Sequence, residues 1–295
     1  DADKGQVWDW HFGDELPLGY ENNRDQDLSK YAKYNYYNHD INAGLNLIRE
    51  KYRFNVGVSL QPQNTTLTYK KSELDTIVKR SVFNFAPNID FRYRFSKVSQ
   101  LRFTYRGRAS QPSMENLLDI TDDSNPLNIR MGNPGLKPSF SHNMRLFYNT
   151  YNADRQQGIV AHAFFNATQN SITNGTTYNQ ATGGVTVKPE NINGNWNASG
   201  MFGFNTALKD KFTVSTFSRV GYTNAVAYLY NQQTTVNDKN TSTTLNLGED
   251  VRGTFRNDWF EFTVNGSINY NFEKNKLRPE NNQEPYTFGY GASTN

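Results

Sequence analysis

Strict alternation of apolar and polar side chains is the feature of this sequence that most constrains its fold. Between residues 260 and 272, apolar side chains occupy one parity and polar side chains occupy the other. The apolar set is Phe260, Phe262, Val264, Gly266, Ile268, Tyr270 and Phe272. Because successive side chains of an extended chain point to opposite faces, this segment predicts a β-strand between an apolar and an aqueous environment.

The same alternation recurs along the chain. Residues 52–60 place Tyr52, Phe54 and Val56 on one parity, and residues 89–95 repeat the pattern with Ile89 and Phe91. Transmembrane helices are excluded, because no run approaches the roughly twenty apolar residues that a spanning helix requires. The sequence therefore predicts an all-β protein built from many strands of one design.

Short and long connections alternate between these strands. Polar short turns are predicted at residues 49–51, 96–99, 152–155, 209–211 and 256–258. Long, polar, irregular connections are predicted at residues 61–79, 109–138, 170–189, 231–240 and 273–285. This order is typical of an antiparallel up-and-down transmembrane β-barrel, with tight periplasmic turns, long external loops and, on this spacing, about ten to eleven strands.

Composition agrees with a barrel but does not require one. The mean hydropathy is −0.80, which a membrane barrel tolerates because only alternate strand residues face lipid. A formal net charge of +3, from 31 basic and 28 acidic residues, gives no reason to expect a nucleic-acid partner. Aromatic residues make up 14% of the chain, and clusters such as those around Tyr34 and Tyr148 are predicted to form aromatic girdles at the membrane surfaces.

No composition shift divides the chain, so residues 1–295 are predicted to form one partial outer-membrane β-barrel domain. Residues 1–30 are rich in acids, amides and glycine and are predicted to be loop. The first residues do not resemble a signal peptide, and the last residue, Asn295, is not the aromatic residue that usually closes a bacterial barrel. We therefore expect this chain to be a piece of a longer one.

The connection at residues 109–138 carries a family resemblance. Its prolines stiffen the loop, and two glycines bracket Asn133-Pro134 in what reads as a tight turn. The signature residues are Pro112, Pro126, Gly132, Asn133, Pro134, Leu136, Lys137 and Pro138. This stretch resembles the long-loop signature of TonB-dependent outer-membrane receptors, in particular the Bacteroidota-type branch with an outer-membrane β-barrel domain. The sequence leaves two roles open for this loop: a structural clasp or a direct contact with a ligand.

The resemblance implies a location in the bacterial outer membrane and contact with its lipid. It also implies a complete barrel of about twenty-two strands, a size that holds a plugged lumen. In such receptors a plug domain of the same chain links the barrel to the TonB complex of the inner membrane. The chain would then form part of a receptor that binds and imports a nutrient such as a siderophore or a glycan.

Candidate binding residues lie in the same loop and on the polar parity of nearby strands. Carboxylates and amides of the loop could contact a ligand: Asn116, Asp119, Asp122, Asp123 and Asn125. A calcium site among the acids is less favoured than a solvated loop, because the spacing does not match a calcium-binding loop. A basic patch on the lumen wall is predicted from Arg92, Arg94, Arg102, Arg106 and Arg108, to pair with a plug or attract an anion.

Motifs for catalysis, metal binding or cofactor binding were sought and not found, so neither enzymatic activity nor a cofactor is expected. Two alternatives to the receptor remain open from the sequence. One is a soluble all-β glycan-binding or adhesin module, in which the apolar parities pack sheet on sheet. The other is a small passive outer-membrane pore.

Overall fold

The computed structural model describes residues 2–4, 30–71, 74–123, 125–179, 181–209, 211–231 and 236–295. Over these residues the chain forms strands and turns, with two single-turn 3₁₀ helices at Glu115–Leu117 and Pro279–Asn281. No helix in the described part is long and apolar enough to cross a membrane. The strands are β1 (Ala2–Lys4), β2 (Lys30–Asn38), β3 (Ile41–Ile48), β4 (Tyr52–Lys71), β5 (Leu74–Ser96), β6 (Ser99–Ser110), β7 (Thr121–Asp122), β8 (Asn128–Met131), β9 (Ser139–Asn152), β10 (Gln157–Gln169), β11 (Ser171–Tyr178), β12 (Val185–Ile192), β13 (Asn195–Leu208), β14 (Phe212–Asn231), β15 (Val236–Arg256), β16 (Glu261–Asn275) and β17 (Tyr286–Thr294).

Thirteen of the described strands form one antiparallel sheet. Their order is β1-β2-β4-β5-β6-β9-β10-β13-β14-β15-β16-β17, with β3 also paired to β4. The remaining four strands form a small second sheet in the order β11-β12-β8-β7. The large sheet has the up-and-down connectivity that the sequence predicted, and among the described residues no pairing joins its two edges. It is a segment of a barrel wall.

Strands β2 and β3 act together as one strand beside β4. They pair with β4 in a single register, which is interrupted only at His39 and Asp40. The interruption lies opposite Pro62, which has no N–H to contribute to the ladder. The carbonyl of Pro62 still accepts a hydrogen bond from the backbone N–H of His39 at 3.1 Å. Counted this way, the wall has eleven strand positions besides the short β1, in agreement with the prediction.

All five predicted short turns join neighbouring strands, but three of the predicted long connections are largely strand. Strand β4 continues to Lys71 and β5 begins at Leu74, inside the predicted connection at residues 61–79. Similarly, β15 begins at Val236, and residues 170–189 contain β11 and part of β12. These segments carry many threonine, valine and tyrosine residues, which favour extended pairing even where no lipid imposes an apolar parity.

The long connections at residues 109–138 and 273–285 are irregular, as predicted. Strand β6 ends at Ser110 and β9 begins at Ser139, so nearly the whole first connection lies outside the large sheet. The loop predicted at residues 1–30 is contradicted at Ala2–Lys4, which pairs with β2. Residues 5–29 lie outside the described residues.

The register gives the sheet one apolar and one polar face, because directly paired residues share a face. One row of the apolar face crosses the sheet through Phe54, Phe91, Phe103, Leu146, Ala163, Gly200, Val220, Leu247 and Tyr270. Along this row Val220 is 47% exposed and Leu247 is 42% exposed. Among the described residues no second sheet packs on this face, as the alternative of a soluble sandwich would require.

Aromatic rings border the apolar face at both ends. At the loop end Trp196 stacks on Tyr222 with ring centroids 5.0 Å apart, and at the turn end Phe212 contacts Phe255 at 4.8 Å. The ten positions from Phe212 to Tyr222 span about 33 Å along β14, or about 25 Å across a membrane at a strand tilt of about 40°. This separation matches the apolar band of an outer-membrane barrel.

The girdle prediction is confirmed at Tyr148 and wrong at Tyr34. Tyr148 lies on the apolar face and contacts Phe95 with ring centroids 6.2 Å apart. Tyr34 lies on the polar face, where its hydroxyl donates a hydrogen bond to Glu115 in the loop after β6. The predicted girdle position of Tyr34 is therefore wrong, because an alternation pattern at a strand end does not reveal which face a loop will cover.

Candidate functional site

The loop between β6 and β9, residues 111–138, folds over the polar face of the sheet. Its apolar side chains pack against the ends of β2, β4 and β5 beyond the apolar band. The buried cluster comprises Ala32, Leu67, Tyr69, Met114, Leu117, Leu118 and Leu136. Burying these residues against strand ends fixes the loop as a layer at one mouth of the wall.

Polar contacts tie the same loop to the strands beneath it. The Tyr34 hydroxyl donates to Glu115 Oε1 at 2.7 Å, and Lys71 Nζ donates to Asp122 Oδ1 at 2.7 Å. Arg80 reaches the carbonyl of Leu136 at 3.2 Å. Burial, with a smaller contribution from the Glu115 carboxylate, raises the pKa of Tyr34 above its ordinary value. These contacts make the loop a fixed part of the structure.

The signature turn forms the inner anchor of this layer. The N–H of Gly132 donates to the carbonyl of Ile120 at 3.0 Å, and a Cβ at Gly132 would lie 1.6 Å from the carbonyl oxygen of Leu118. The N–H of Asn133 donates to the carbonyl of Asn116 at 2.6 Å. Only a glycine allows the two chain segments to approach this closely, so the turn clasps the loop to itself.

The clasp also joins a second loop, the β11–β12 hairpin. Asn133 Nδ2 donates to the carbonyl of Pro189 at 2.9 Å. The side chain of Asn191 accepts from the N–H of Lys137 at 2.7 Å and donates to the carbonyl of Lys137 at 3.0 Å. Strand β12 also pairs in parallel with β8. The two loops therefore form one layer through main-chain and amide contacts.

The predicted ligand-binding residues of the loop occupy different environments. Asp119 and Asp123 are exposed, whereas Asp122 is paired with Lys71. Asn116 accepts the Asn133 N–H through its carbonyl, and the Asn125 side chain accepts the N–H of Leu127 at 3.0 Å, as in an Asx turn. Among the described residues no group of three or more histidines or acids could hold a metal ion.

The other signature residues also shape the layer. Pro112 and Leu136 are buried, and Pro138 is half-buried just before β9. Pro126 lies at the exposed end of the loop, and its carbonyl would be 2.9 Å from a Cβ at Gly184. These positions connect the loop to both neighbouring strands and to the hairpin.

The predicted basic patch lies on one face in the observed register. Arg92 pairs directly with Arg102, and Arg94, Arg106 and Arg108 share their parity on the polar face. Arg102 forms an ion pair with Asp90 at 2.7 Å. Sequence reasoning missed Arg53, which pairs directly with Arg92 and extends a row of three arginines across β4, β5 and β6. Its position on the polar parity of β4 was the available signal.

A cleft opens between the hairpin and the connection after β16, with a volume of about 960 Å³. Tyr178 and Tyr230 line it with ring centroids 6.1 Å apart, and Lys276, Arg278 and Glu280 supply charged groups. No pattern in the sequence predicts this cleft, because it is formed by the hairpin, the end of β14 and the connection after β16, which are distant along the chain. Paired aromatic rings with nearby charges are suited to hold a polar ligand.

Comparison with known proteins identifies the class to which this wall belongs. Residues 18–293 match the outer membrane protein beta-barrel family, so the chain belongs to that family. Family membership confirms the predicted outer-membrane β-barrel and places the protein in the outer membrane. The apolar face of the sheet is therefore its lipid-facing surface.

No curated protein matches this sequence. Among solved structures, the siderophore receptor PirA from Pseudomonas aeruginosa has 10% sequence identity to this chain and a TM-score of 0.38. The alignment covers 90% of this chain and 57% of the receptor chain. The chain thus spans little more than half the length of that structure.

Proposed function

We propose that this chain forms part of the barrel of a TonB-dependent receptor that binds a nutrient at its external loops and imports it. The proposal rests chiefly on the clasped loop layer. Two long loops, joined through Asn133 and Asn191, are fixed over the mouth of a polar-faced wall, whereas the described connections at the opposite end are tight turns. A fixed external layer above a wide lumen is better suited to binding a ligand than to letting solutes diffuse freely through the barrel.

We propose the cleft between the hairpin and the β16–β17 connection as the main contact surface for the ligand. Tyr178 and Tyr230 would contact its apolar surface, and Lys276 and Arg278 would contact its polar or anionic groups. The exposed carboxylates Asp119 and Asp123 on the neighbouring loop could also contact the ligand. No catalytic role is assigned to any of these residues.

The arginines of the polar face are proposed to face the plug domain of the parent chain. Arg53, Arg92 and Arg102 lie at one level on adjacent strands, and Arg102 forms an ion pair with Asp90. Acidic side chains of a plug would offset the repulsion within the row. In this arrangement the plug, and through it the TonB complex, would couple to the wall at β4–β6.

Uptake by cells that produce the full-length parent protein tests the proposal. The probes are ⁵⁵Fe-loaded siderophores and fluorescently labelled oligosaccharides, each assayed with and without a protonophore. We expect saturable uptake of one probe class that stops when the protonophore removes the energy supply. Substituting both Tyr178 and Tyr230 by alanine should lower uptake at least tenfold, because each stacked ring contributes about 1 kcal/mol.

Exchanging Thr186 for alanine on the same hairpin provides the control and should leave uptake unchanged. Uptake that continues under the protonophore and does not saturate would identify a passive pore instead. If no probe of either class shows energy-dependent uptake, the proposal that the receptor imports these nutrients is wrong.

A further inference from the structure

Glu249 is a carboxylate on the lipid-facing surface of the wall. In the ladder it pairs directly with Ser218 on β14 and with Ile268 on β16, so all three share the apolar face. The exposed side chains on either side of it along β15 are Leu247 and Val251. The register of β15 fixes this orientation of Glu249. A shift of β15 by one residue would move all its lipid-facing apolar side chains to the polar face.

The depth of Glu249 places it well inside the hydrocarbon. It lies four positions from the level of Tyr222 at one aromatic border and six positions from Phe255 at the other. With the rise of a tilted strand, these separations correspond to depths of about 10 Å and about 15 Å. An ionisable side chain at such a depth is costly and marks a functional surface in membrane proteins.

Two hydroxyl groups hold the carboxylate in place without neutralising it. Thr216 Oγ1 donates to Glu249 Oε1 at 2.8 Å, and Ser218 also hydrogen-bonds to the carboxylate. The neighbouring Arg219 belongs to the polar face, where it is paired with Asp250 at 2.8 Å. Among the described residues no basic side chain forms an ion pair with Glu249, so the site is a hydrogen-bond acceptor that lacks a cation.

The surface beside Glu249 has room for a close approach. A Cβ added at Gly253 or Gly266 would meet no atom within 4 Å. An apolar groove of about 570 Å³ runs from Glu249 along Val220, Leu247 and Ile268. The combination of a groove, small residues and one carboxylate acceptor is the chemistry by which membrane-embedded segments associate.

We propose that this surface of β14–β16 binds a membrane-spanning segment of another protein, which places a lysine or arginine against Glu249. Lipid does not match the site, because headgroup amines lie at the border of the band, about 10 Å from this depth. A second copy does not match it either. Between the aromatic borders the described residues place no lysine or arginine on the apolar face.

Photo-crosslinking in cells that carry the full-length protein tests this interface. A photoreactive residue at Val251 reports on the surface beside Glu249, and one at Val56, on the lipid-facing side of β4, is the matched control. We expect the Val251 probe to give one protein adduct whose crosslinked peptide contains a lysine or arginine in a membrane-spanning segment. The Val56 probe should not give this adduct.

Charge substitutions then decide whether Glu249 recognises that residue. Glu249→Gln and Glu249→Leu should each lower the adduct at least fivefold while the barrel keeps its heat-modifiable mobility. Glu249→Lys should regain the adduct when the partner's basic residue is exchanged for glutamate. Adducts with lipid alone, with a second copy, or with a protein whose yield does not depend on Glu249 would each overturn the proposal.

Discussion

Gly132 shows how one residue determines the position of a whole loop. Its Cα lies so close to the Leu118 carbonyl that any side chain would force the two segments of the loop apart. The sequence predicted a tight turn here, but not that the turn would lie against its own loop. The contact joins residues fourteen positions apart, and no local pattern encodes such a separation.

Gly132→Ala should therefore loosen the loop layer without unfolding the barrel. Overpacking of this kind costs about 1–3 kcal/mol, which raises the population of the opened loop roughly five- to 160-fold. Limited proteolysis of the intact protein in detergent measures this population. Gly135→Ala is the matched control, since its Cβ would meet a single side-chain atom, Asn133 Oδ1 at 3.2 Å, and no backbone within 4 Å.

The Tyr34–Glu115 hydrogen bond makes the loop layer sensitive to alkaline pH. Because burial raises the pKa of Tyr34 in the folded protein, its contribution is fully present below the ordinary tyrosine pKa of 10.0. That contribution is lost as the pH rises above this value. Protease protection of the loop should accordingly fall above about pH 10.

Tyr34→Phe should weaken the layer at neutral pH by about 1–3 kcal/mol, since Glu115 loses its donor. It should also flatten the alkaline dependence. Burial raises the pKa of Tyr69 as well, so the remaining dependence should disappear in the double variant with Tyr69→Phe. A loop protection that is unchanged between pH 8 and pH 11 in the unmodified protein would contradict this assignment.

At the scale of elements, hydrogen bonds between the two loops add to the pairing within each of them. Asn191 joins the two loops through two hydrogen bonds to Lys137, and within its own hairpin it donates to the carbonyl of Asn170 at 2.9 Å. The alternation pattern predicted the spanning strands and all short turns, because lipid imposes a period of two on every strand. It did not predict the strand extensions or the parallel β8–β12 pairing, where no such period applies.

Asn191→Ala should release the hairpin from the clasp. Loss of its amide removes both hydrogen bonds to the exposed Lys137, each of which contributes about 0.5–1.5 kcal/mol. Proteolysis should then accelerate in both loops together. The exposed Asn128→Ala on β8 is the control, and cleavage confined to the hairpin alone would contradict a shared layer.

The whole molecule is a curved wall with lipid on one side and water on the other. Along each strand, alternate residues face lipid or water. The arginines of the polar face could therefore be assigned from the sequence, whereas Glu249 was not identified. A single acid within an apolar parity becomes visible only when the register aligns neighbouring strands. The cleft at Tyr178 required the three-dimensional arrangement of loops for the same reason.

Two neighbouring residues on β4 offer a direct test of this orientation. Val56→Arg places a charge toward lipid and should destabilise the folded barrel by about 2–4 kcal/mol. Asn55→Arg points to the polar face opposite Asp90 and should change stability by less than about 1 kcal/mol. Denaturant unfolding of the full-length protein in lipid vesicles measures both, and equal effects would contradict the assigned faces.

The parallel contact between β8 and β12 has a consequence for how this protein changes over evolution. Strand β8 of one loop provides the edge with which β12 of the other loop pairs. An insertion in either loop must therefore be accompanied by a compensating change in the other. New ligand preferences should then arise by joint replacement of both loops.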